Sequence, residues 1–385
     1  MRNIFYWSPF TSKVATVYSV INSAEIVNLN SNKNGFKASI VDAVKEWDEF
    51  REKINKKKIG LINLNNNSRF SSMKREGFLR SRLAYWYIFF KCFNPLRKLL
   101  KTQKPDYLII HLITSLPLLL FRIFNFETKL ILRISGFPKM TLLRKLIWKI
   151  AVKRIYKISC PTRATYENLS RYKFLREKLI ILRDPVLNIS EIKLKKSQVD
   201  DIPKITKKFI ENEKFYLSIG RFTKQKNFLF FLDCIIELIK SDRKLKFLLI
   251  GEGEEKNIFL DKVNKNNLSE NIHVLHYTNN VHKLMAKSEA FILTSLWEDP
   301  GFVIIEAAYN NCSVMSSNCP NGPQEIIGND GGYLFNSNSK ESFIRVFNNF
   351  KKDKAETKFK KKIIIKKRVK EFTCFNHFLK LKTIL

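Results

Sequence analysis

Acidic side chains are scarce in this sequence. Its 385 residues include 35 Asp and Glu against 70 Lys and Arg, so the formal net charge is +35 at pH 7. Residues 1–200 carry most of the excess, with 39 basic and 14 acidic side chains. Such a chain is expected to bind polyanions: nucleic acid, an anionic membrane surface or phosphorylated small molecules.

Cysteine motifs and long apolar runs are also missing. The six cysteines form no Cys-x-x-Cys pair, and no His lies at zinc-finger spacing from them, which argues against a structural metal or a disulfide framework. The N-terminus lacks the apolar core of a secretory signal. The most apolar stretch, Tyr107–Phe121, contains a His and a Pro and is too short to span a bilayer. These absences predict a protein of a reducing compartment without a spanning helix.

Short apolar runs alternate with longer amphipathic stretches, which predicts an α/β fold with parallel sheets and right-handed crossovers. We assign residues 1–190 to an N-terminal domain, 191–208 to a linker, 209–365 to a second domain and 366–385 to a helical tail, with a return of the tail to the N-terminal domain as one alternative. Ligands of such folds bind at the carboxyl ends of the strands. The predicted strands are Asn3–Trp7, Glu25–Leu29, Lys58–Leu64, Tyr107–His111, Lys129–Ile134, Lys157–Cys160, Lys178–Leu182, Lys214–Ile219, Lys246–Ile250, Ile272–Leu275, Ala290–Leu293, Val314–Ser317 and Gly332–Phe335.

The most informative window is Glu298–Glu306, EDPGFVIIE, which follows the apolar run AFIL. Gly301 allows the backbone to approach a ligand closely. The amides of Gly301, Phe302 and Val303 are predicted to be unpaired donors at the start of a helix, where anions bind. The two carboxylates flanking such a site suit hydroxyl-rich groups, such as ribose and sugar. A capped helix with a solvated Glu is the structural alternative.

A second window, Ser218–Asn227 (SIGRFTKQKN), follows a predicted strand and opens an apolar helix. Gly220 allows a tight turn at the end of the strand. Arg221 can bind two phosphate oxygens with its planar guanidinium, and Lys226 supplies a compact positive charge. A solvated basic loop is the alternative interpretation. A third candidate, Gly251–Gly253, is interpreted as a tight turn, because its neighbouring Glu residues would repel phosphate.

Together, GRFTKQKN and EDPGFVIIEAA resemble the retaining glycosyltransferases of family 4 (glycosyltransferase group 1), whose E-x7-E signature the second motif matches. The later segment Ser316–Ile327 is similar to a bacterial surface-polysaccharide branch of that family. The resemblance implies the GT-B fold, in which two Rossmann-like domains face each other across a cleft. The N-terminal domain would bind the acceptor and the C-terminal domain the nucleotide-sugar donor.

The resemblance also implies roles for single residues. Arg221 and Lys226 would bind the donor diphosphate and stabilise the leaving nucleotide. Glu306 would accept hydrogen bonds from the ribose, Glu298 would hold hydroxyls of the transferred sugar, and the amides at Gly301–Val303 would contact the distal phosphate. No Asp-x-Asp occurs. This absence agrees with neutralisation of the diphosphate by side-chain cations, so neither a metal nor a separate cofactor is expected.

His111 is the candidate in the first half. It follows the strand DYLII, and the resemblance implies a His that lines the cleft near the reacting carbon. A polar residue that satisfies a strand end is an equally good interpretation. The glycine-rich loop that often follows the first strand in the family is replaced here by Ser8–Ala15, which contains no Gly.

Residues 74–104 hold nine Lys and Arg, one Glu and many aromatic residues. Such a stretch favours peripheral binding to an anionic membrane surface, with a core helix that exposes a basic side as the alternative. Asn94-Pro95 predicts a junction between two helices there. Nucleic acid is not favoured as a partner, because no nucleic-acid-binding motif accompanies the charge.

The sequence therefore predicts a retaining glycosyltransferase at the cytoplasmic face of the membrane. It would move a sugar from a nucleotide-sugar donor to a saccharide acceptor, lipid-linked, in bacterial O-antigen, capsule or lipopolysaccharide synthesis. A nucleotide-sugar epimerase of similar architecture and a basic nucleic-acid-binding protein are the alternatives.

Overall fold

The structure is a computed structural model that describes residues 1–11, 14–31, 35–66, 70, 78–198, 202–211, 213–279 and 281–385. It divides the chain into two compact units. The first unit comprises residues 1–186 and 374–385, and the second comprises residues 187–373.

Each unit is built on one parallel sheet. The first sheet has the strand order β3-β2-β1-β4-β5-β6-β7, and the second has the order β10-β9-β8-β11-β12-β13. The first sheet contains β1 (Arg2–Trp7), β2 (Phe36–Asp42), β3 (Gly60–Asn63), β4 (Tyr107–Ile110), β5 (Lys129–Arg133), β6 (Ile155–Cys160) and β7 (Leu179–Ile181). The second contains β8 (Phe215–Ile219), β9 (Lys246–Ile250), β10 (Ile272–Leu275), β11 (Ala290–Leu293), β12 (Ser313–Ser317) and β13 (Tyr333–Phe335).

Helices follow most of the strands. Those in residues 1–186 are α1 (Ala15–Leu29), α2 (Arg51–Lys56), α3 (Phe78–Gln103), α4 (Ser115–Ile123), α5 (Leu142–Ala151) and α6 (Arg163–Ser170). Those in residues 187–373 are α7 (Ile189–Ser197), α8 (Lys204–Ile210), α9 (Phe228–Ser241), α10 (Lys256–Lys265), α11 (Val281–Lys287), α12 (Phe302–Tyr309), α13 (Pro323–Ile327), α14 (Lys340–Lys352) and α15 (Ala355–Val369); α16 (Cys374–Lys382) ends the chain. Among the described residues, no helix is both long enough and apolar enough to cross a bilayer.

Both faces of the first sheet are covered, as the near-continuous apolar strands require. Trp7, Val41 and Ile110 point to the face that carries α3 and α4. Tyr6 and Ile109 point to the opposite face, which carries α1 and α16. The second unit has an aromatic core in which α9 and α14 pack on the strands. The predicted α/β class with two parallel domains is therefore confirmed.

Two local predictions were wrong. Glu25–Leu29 is the end of α1, because the buried Val20, Ala24 and Val27 repeat at helical spacing. The strand that pairs with β1 is β2, Phe36–Asp42. Asn94-Pro95 does not separate two helices, since α3 runs through Pro95 with buried residues on both sides of it.

The segment 191–208, predicted as a linker, instead contributes α7 and α8 to the second unit, apart from residues 199–201, which lie outside the described residues. Ile192 on α7 is buried, and α7 packs against α11. A buried apolar residue and tertiary contacts therefore order a segment whose composition is polar. At the C-terminal end the chain belongs to the first unit from residue 374 onwards, whereas the tail, for which such a return was one alternative, was assigned from residue 366.

Helix α16 is held in the first unit by a buried hydrogen-bonded chain. His377 Nδ1 lies 2.7 Å from the carbonyl oxygen of Arg183, and because a carbonyl can only accept, Nδ1 carries the proton. His377 Nε2 therefore accepts from Ser23 Oγ at 2.8 Å, and Ser23 is bonded in turn to Tyr6 Oη at 2.7 Å. Burial lowers the pKa of His377 and keeps this ring neutral.

Candidate functional site

The loop after β8 is held in place by the turn after β9. The amide of Gly220 donates to the carbonyl of Ile250 at 3.0 Å, and the amide of Phe222 donates to the carbonyl of Glu252 at 2.8 Å. Phe222 itself is fully buried, whereas Arg221 between these two anchors is exposed. The backbone path therefore presents the Arg221 guanidinium to solvent from a fixed position.

Gly251 and Gly253 explain how the turn after β9 comes so close to the loop after β8. A Cβ on Gly251 would lie 1.8 Å from the carbonyl oxygen of Gly220. A Cβ on Gly253 would lie 2.3 Å from the carbonyl oxygen of Phe222. The sequence indicated only a tight turn here. Its glycines in fact allow backbone-to-backbone contact that positions Arg221.

The EDPGFVIIE motif opens helix α12. Gly301 has φ 97° and is the residue that precedes the first turn at Phe302. Among the described residues, the amides of Gly301, Phe302 and Val303 donate to no backbone carbonyl, whereas the amide of Ile304 donates back to Gly301 at 3.0 Å. This arrangement has the free amides predicted for an anion site at a helix N-terminus.

The segment Ser316–Ile327 packs on the loop of the EDPGFVIIE motif. A Cβ on Gly322 would lie 1.9 Å from the carbonyl oxygen of Pro300. The amide of Glu298 donates to the carbonyl of Pro320 at 3.2 Å, and Asn321 Nδ2 donates to Asp299 Oδ1 at 3.0 Å. The segment 316–327 therefore supports the loop that carries Glu298.

Lys226 and Glu298 form an ion pair that joins the GRFTKQKN motif to the EDPGFVIIE motif. Lys226 Nζ lies 2.6 Å from Glu298 Oε1, and the side chains are only 14% and 6% exposed. Ser295 Oγ donates to the same oxygen at 2.5 Å. Backbone contacts support the pair, since the amide of Leu296 donates to the carbonyl of Gln225 at 2.8 Å. The two residues that the sequence assigned to diphosphate and sugar thus contact each other directly.

Glu306 lies on α12, one turn beyond Phe302, and is half-buried. Burial raises the pKa of its carboxyl to about 7. To a smaller extent, Lys195 on α7 lowers this pKa and Glu191 on α7 raises it. Ligand hydroxyls that donate hydrogen bonds to a carboxyl favour its ionised form. Because the pKa of Glu306 lies near neutral pH, such a ligand would change the ionised fraction of this carboxyl.

We expect nucleotide binding to depend on the ionisation of Glu306. As the pH falls from about 8 to about 6, the ionised fraction falls roughly tenfold and affinity should fall with it. Hydrogen bonds from the ribose should lower the pKa, so binding near pH 7 should release protons. Calorimetry in buffers of different ionisation enthalpy measures this release.

The Glu306→Gln protein is the control for this prediction. Titration of the nucleotide's own phosphate is common to both proteins, so only the difference between them counts. Because the folded-state pKa is raised, the protonated carboxyl stabilises the fold at low pH and this contribution is lost as pH rises through about 7. Glu306→Gln should therefore raise the melting temperature of the ligand-free protein more at pH 8 than at pH 5. Equal proton release in both proteins would contradict the assignment.

His111 lies in the first unit, immediately after β4. Its Nδ1 is buried and has no hydrogen-bond partner among the described residues. Burial and the nearby charge of Arg133 lower the pKa of His111 to about 3, so the ring is neutral at physiological pH. The neutral ring can hydrogen-bond a ligand but cannot donate the proton of an imidazolium ion.

His111 belongs to a row of polar residues that the sequence analysis missed. Trp7 on β1 pairs with Val41 on β2 and with Ile110 on β4. The residues that follow these three are Ser8, Asp42 and His111, at one level of the carboxyl edge. Each follows an apolar run, which is the signal that could have revealed the row. Ser8 Oγ is buried without a partner among the described residues.

Two pairs of ionisable residues lie on the two sides of this row. Arg133, at the end of β5, binds Asp184 through two bonds of 2.9 Å and 2.5 Å, and both side chains are buried. Although burial opposes ionisation, Arg133 holds the pKa of Asp184 below its usual range. Asp42 lies beside Glu46, and burial together with this neighbour raises the pKa of Glu46 well above its ordinary value.

Within the part of the chain that the structure describes, no group of three or more His, Cys, Asp or Glu side chains could hold a metal ion. All six cysteines are buried thiols.

Residues 201–369 match the family model described as "Glycosyl transferases group 1". The chain is 31% identical over 247 residues to "Uncharacterized glycosyltransferase MJ1059" of Methanocaldococcus jannaschii, covering 60% of each chain. It is 34% identical over 157 residues to the N-acetylgalactosamine-N,N'-diacetylbacillosaminyl-diphospho-undecaprenol 4-alpha-N-acetylgalactosaminyltransferase of Campylobacter jejuni, covering 39% of this chain and 42% of that protein. The matches thus span about half the length of these relatives.

The fold has a solved counterpart over almost its whole length. The structure of Anabaena Alr3699/HepE in complex with UDP aligns with a TM-score of 0.73 at 12% identity, covering 99% of this chain and 98% of that one. The match shows a shared fold, as the resemblance predicted. Residues 201–369 therefore match the group 1 glycosyl transferases, in a chain with the GT-B fold.

Proposed function

We propose that this chain is a retaining glycosyltransferase that transfers a sugar from a nucleotide-sugar to a lipid-linked saccharide acceptor in surface-polysaccharide synthesis. The observation that carries the proposal is the ion pair between Lys226 and Glu298. It brings a phosphate-binding type of loop and a sugar-binding type of carboxylate together, next to the free amides of α12.

The donor would be held by the second unit. Arg221 and Lys226 neutralise the diphosphate, and the amides of Gly301–Val303 contact its distal phosphate. Gly220 lets the loop backbone approach the ligand. Lys226 has three N–H donors, so it can bind a phosphate oxygen while it keeps its bond to Glu298.

The reaction breaks the bond between the anomeric carbon and the diphosphate oxygen and forms a bond to the acceptor oxygen on the same face. The acceptor hydroxyl passes its proton to a phosphate oxygen of the departing nucleoside diphosphate, which leaves with the electron pair of the broken bond and its negative charge. Cations fixed where this charge develops lower the barrier, because they need no reorganisation during the reaction. Glu298 orients sugar hydroxyls, and Glu306 orients the ribose.

The first unit would supply the acceptor side. We propose that the neutral His111 hydrogen-bonds the transferred sugar near the reacting carbon. The polar row at the carboxyl edge of the first sheet offers further groups for acceptor hydroxyls. The Campylobacter relative is named for an acceptor linked to diphospho-undecaprenol, and this supports a polyprenyl-diphosphate acceptor. The cytoplasmic face of the membrane, expected from the sequence, stays part of the proposal.

The test begins with binding. Uridine, guanosine and adenosine diphosphates and their sugars are screened by thermal shift, since a ligand that binds only the folded protein raises its melting temperature. The donor that binds is then incubated with extracted lipid-linked saccharides, and the anomeric configuration of the product is read by NMR. We expect the configuration of the donor to be kept. Inversion would contradict retention, and conversion of the donor without an acceptor would point to an epimerase.

We also propose that transfer needs no divalent metal, because Arg221 and Lys226 supply the charge that a metal would bring. Turnover should persist after treatment with EDTA. Complete loss of turnover that magnesium or manganese restores would show that the diphosphate is bound elsewhere or through a metal.

A further inference from the structure

Helix α5 exposes an apolar side to solvent. None of its residues is buried. Its large apolar residues are 49% to 81% exposed, and they are Leu142, Leu143, Leu146, Ile147 and Ile150. A helix that crosses over a parallel sheet normally buries such a stripe against the strands. Here the stripe points away from the core and has no partner among the described residues.

Neighbouring helices extend this surface. Helix α4 packs against both α3 and α5, and residues of all three helices contact the same core on one face of the first sheet. On α3 the rings of Trp86 and Phe90 stack at 5.7 Å and are 50% and 71% exposed. On α4 Ile123 is 55% exposed.

The charges around α5 identify the partner. Residues 128–166 contain ten Lys and Arg and no Asp or Glu. At about 100° per residue, the five apolar side chains of α5 occupy an arc of about 140°. Arg144 and Lys149 flank this arc on its two sides, and long basic side chains in such positions reach lipid headgroups while the apolar side enters the acyl boundary.

We propose that α5 docks the protein on an anionic lipid bilayer by lying in the plane of the interface. The helix is about 15 Å long, which is far too short to cross the hydrocarbon core. The inference rests on the proposed function for its biological sense, because a lipid-linked acceptor is presented at such a surface. It also relocates the membrane contact that the sequence predicted for residues 74–104.

The relocation follows from burial. Residues 74–77 lie outside the described residues, and the stripe formed by Ala84, Ile88 and Cys92 on α3 is buried in the core. Helix α3 thus contributes only its outer ridge, with Trp86 and Phe90. Helix α5 offers its entire apolar side.

Vesicle flotation tests the proposal with the full-length protein. We expect binding to phosphatidylcholine vesicles that contain phosphatidylglycerol, weak binding to pure phosphatidylcholine, and release by high salt. The variant Leu146→Ser/Ile147→Ser should lower binding about tenfold or more. The matched control is Ile205→Ser/Ile258→Ser, which changes two residues of similar exposure, 69% and 57%, in the second unit. Equal loss in both variants would overturn the proposal.

A second measurement locates the contact. Because all six native cysteines are buried, Leu146→Cys can be labelled selectively with an environment-sensitive dye. Its emission should shift to the blue on anionic vesicles, whereas the same dye on Ile258→Cys should not. No shift at position 146 would overturn the proposal. Light scattering that shows a dimer abolished by Leu146→Ser/Ile147→Ser, with no vesicle binding, would overturn it in favour of a second copy.

The nucleotide screen separates this inference from the proposed function. The Leu146→Ser/Ile147→Ser protein should keep the thermal shift of the native protein with the nucleotide that binds. If no nucleotide binds the native protein but vesicle binding depends on α5, the proposed function fails and the docking surface stands. If nucleotides bind and vesicles do not, the docking surface fails alone.

Discussion

Replacing Lys226 with Ala is expected to lower transfer about a hundredfold or more, the usual effect of removing one fixed charge-stabilising group. The change also leaves the buried carboxylate of Glu298 with Ser295 as its only side-chain hydrogen-bond partner among the described residues. Breaking a buried ion pair in this way costs about 3 kcal/mol of folding free energy. Turnover and thermal unfolding are therefore measured together.

Two further variants separate chemistry from stability. Lys226→Ala/Glu298→Gln removes the unpaired charge and should recover stability without recovering transfer. Lys224→Ala changes an exposed lysine of the same loop and should leave transfer within about twofold, since a solvated cation adds little. Near-native turnover of Lys226→Ala would contradict the assignment of the donor site.

Replacing Gly251 with Ala is expected to have an effect of similar size, although this residue contacts no ligand in the proposed mechanism. The new methyl group would lie 1.8 Å from the carbonyl oxygen of Gly220, so the loop that carries Arg221 has to move. A displacement of about 1 Å at a charge-stabilising group costs about a hundredfold in rate. Nucleotide affinity and turnover should therefore both fall.

The control is Gly136→Ala. Gly136 also has a positive φ, 62°, but a Cβ there meets nothing within 4 Å. It should cost only the left-handed backbone term of about 1 kcal/mol and leave nucleotide binding unchanged. Gly253→Ala, with a clash of 2.3 Å against Phe222, should resemble Gly251→Ala. Equal nucleotide affinity in Gly251→Ala and Gly136→Ala would show that the contact does not position Arg221.

The burial of side chains explains the local predictions that failed. The apolar run Glu25–Leu29 suits a strand or a helix equally well, and only its packing on the sheet makes it the end of α1. The true strand β2 does alternate, since the exposed Lys37 and the half-buried Ser39 lie between the buried Phe36, Ala38 and Ile40. This period of two was a strand signal that the sequence offered. In α3 the buried stripe on both sides of Pro95 outweighs the loss of one backbone hydrogen bond.

The α/β class, the parallel sheets and the two motif loops were available from the sequence alone, because strand alternation, glycine turns and helix starts depend on neighbouring residues. The contact of Lys226 with Glu298 was not. It requires β8 and β11 to be adjacent in the second sheet, and strand order is decided by packing between distant segments. The same holds for the polar row beside His111 and for the direction of the apolar side of α5. An amphipathic pattern shows that a helix has two sides, but only the tertiary structure decides which side meets the core.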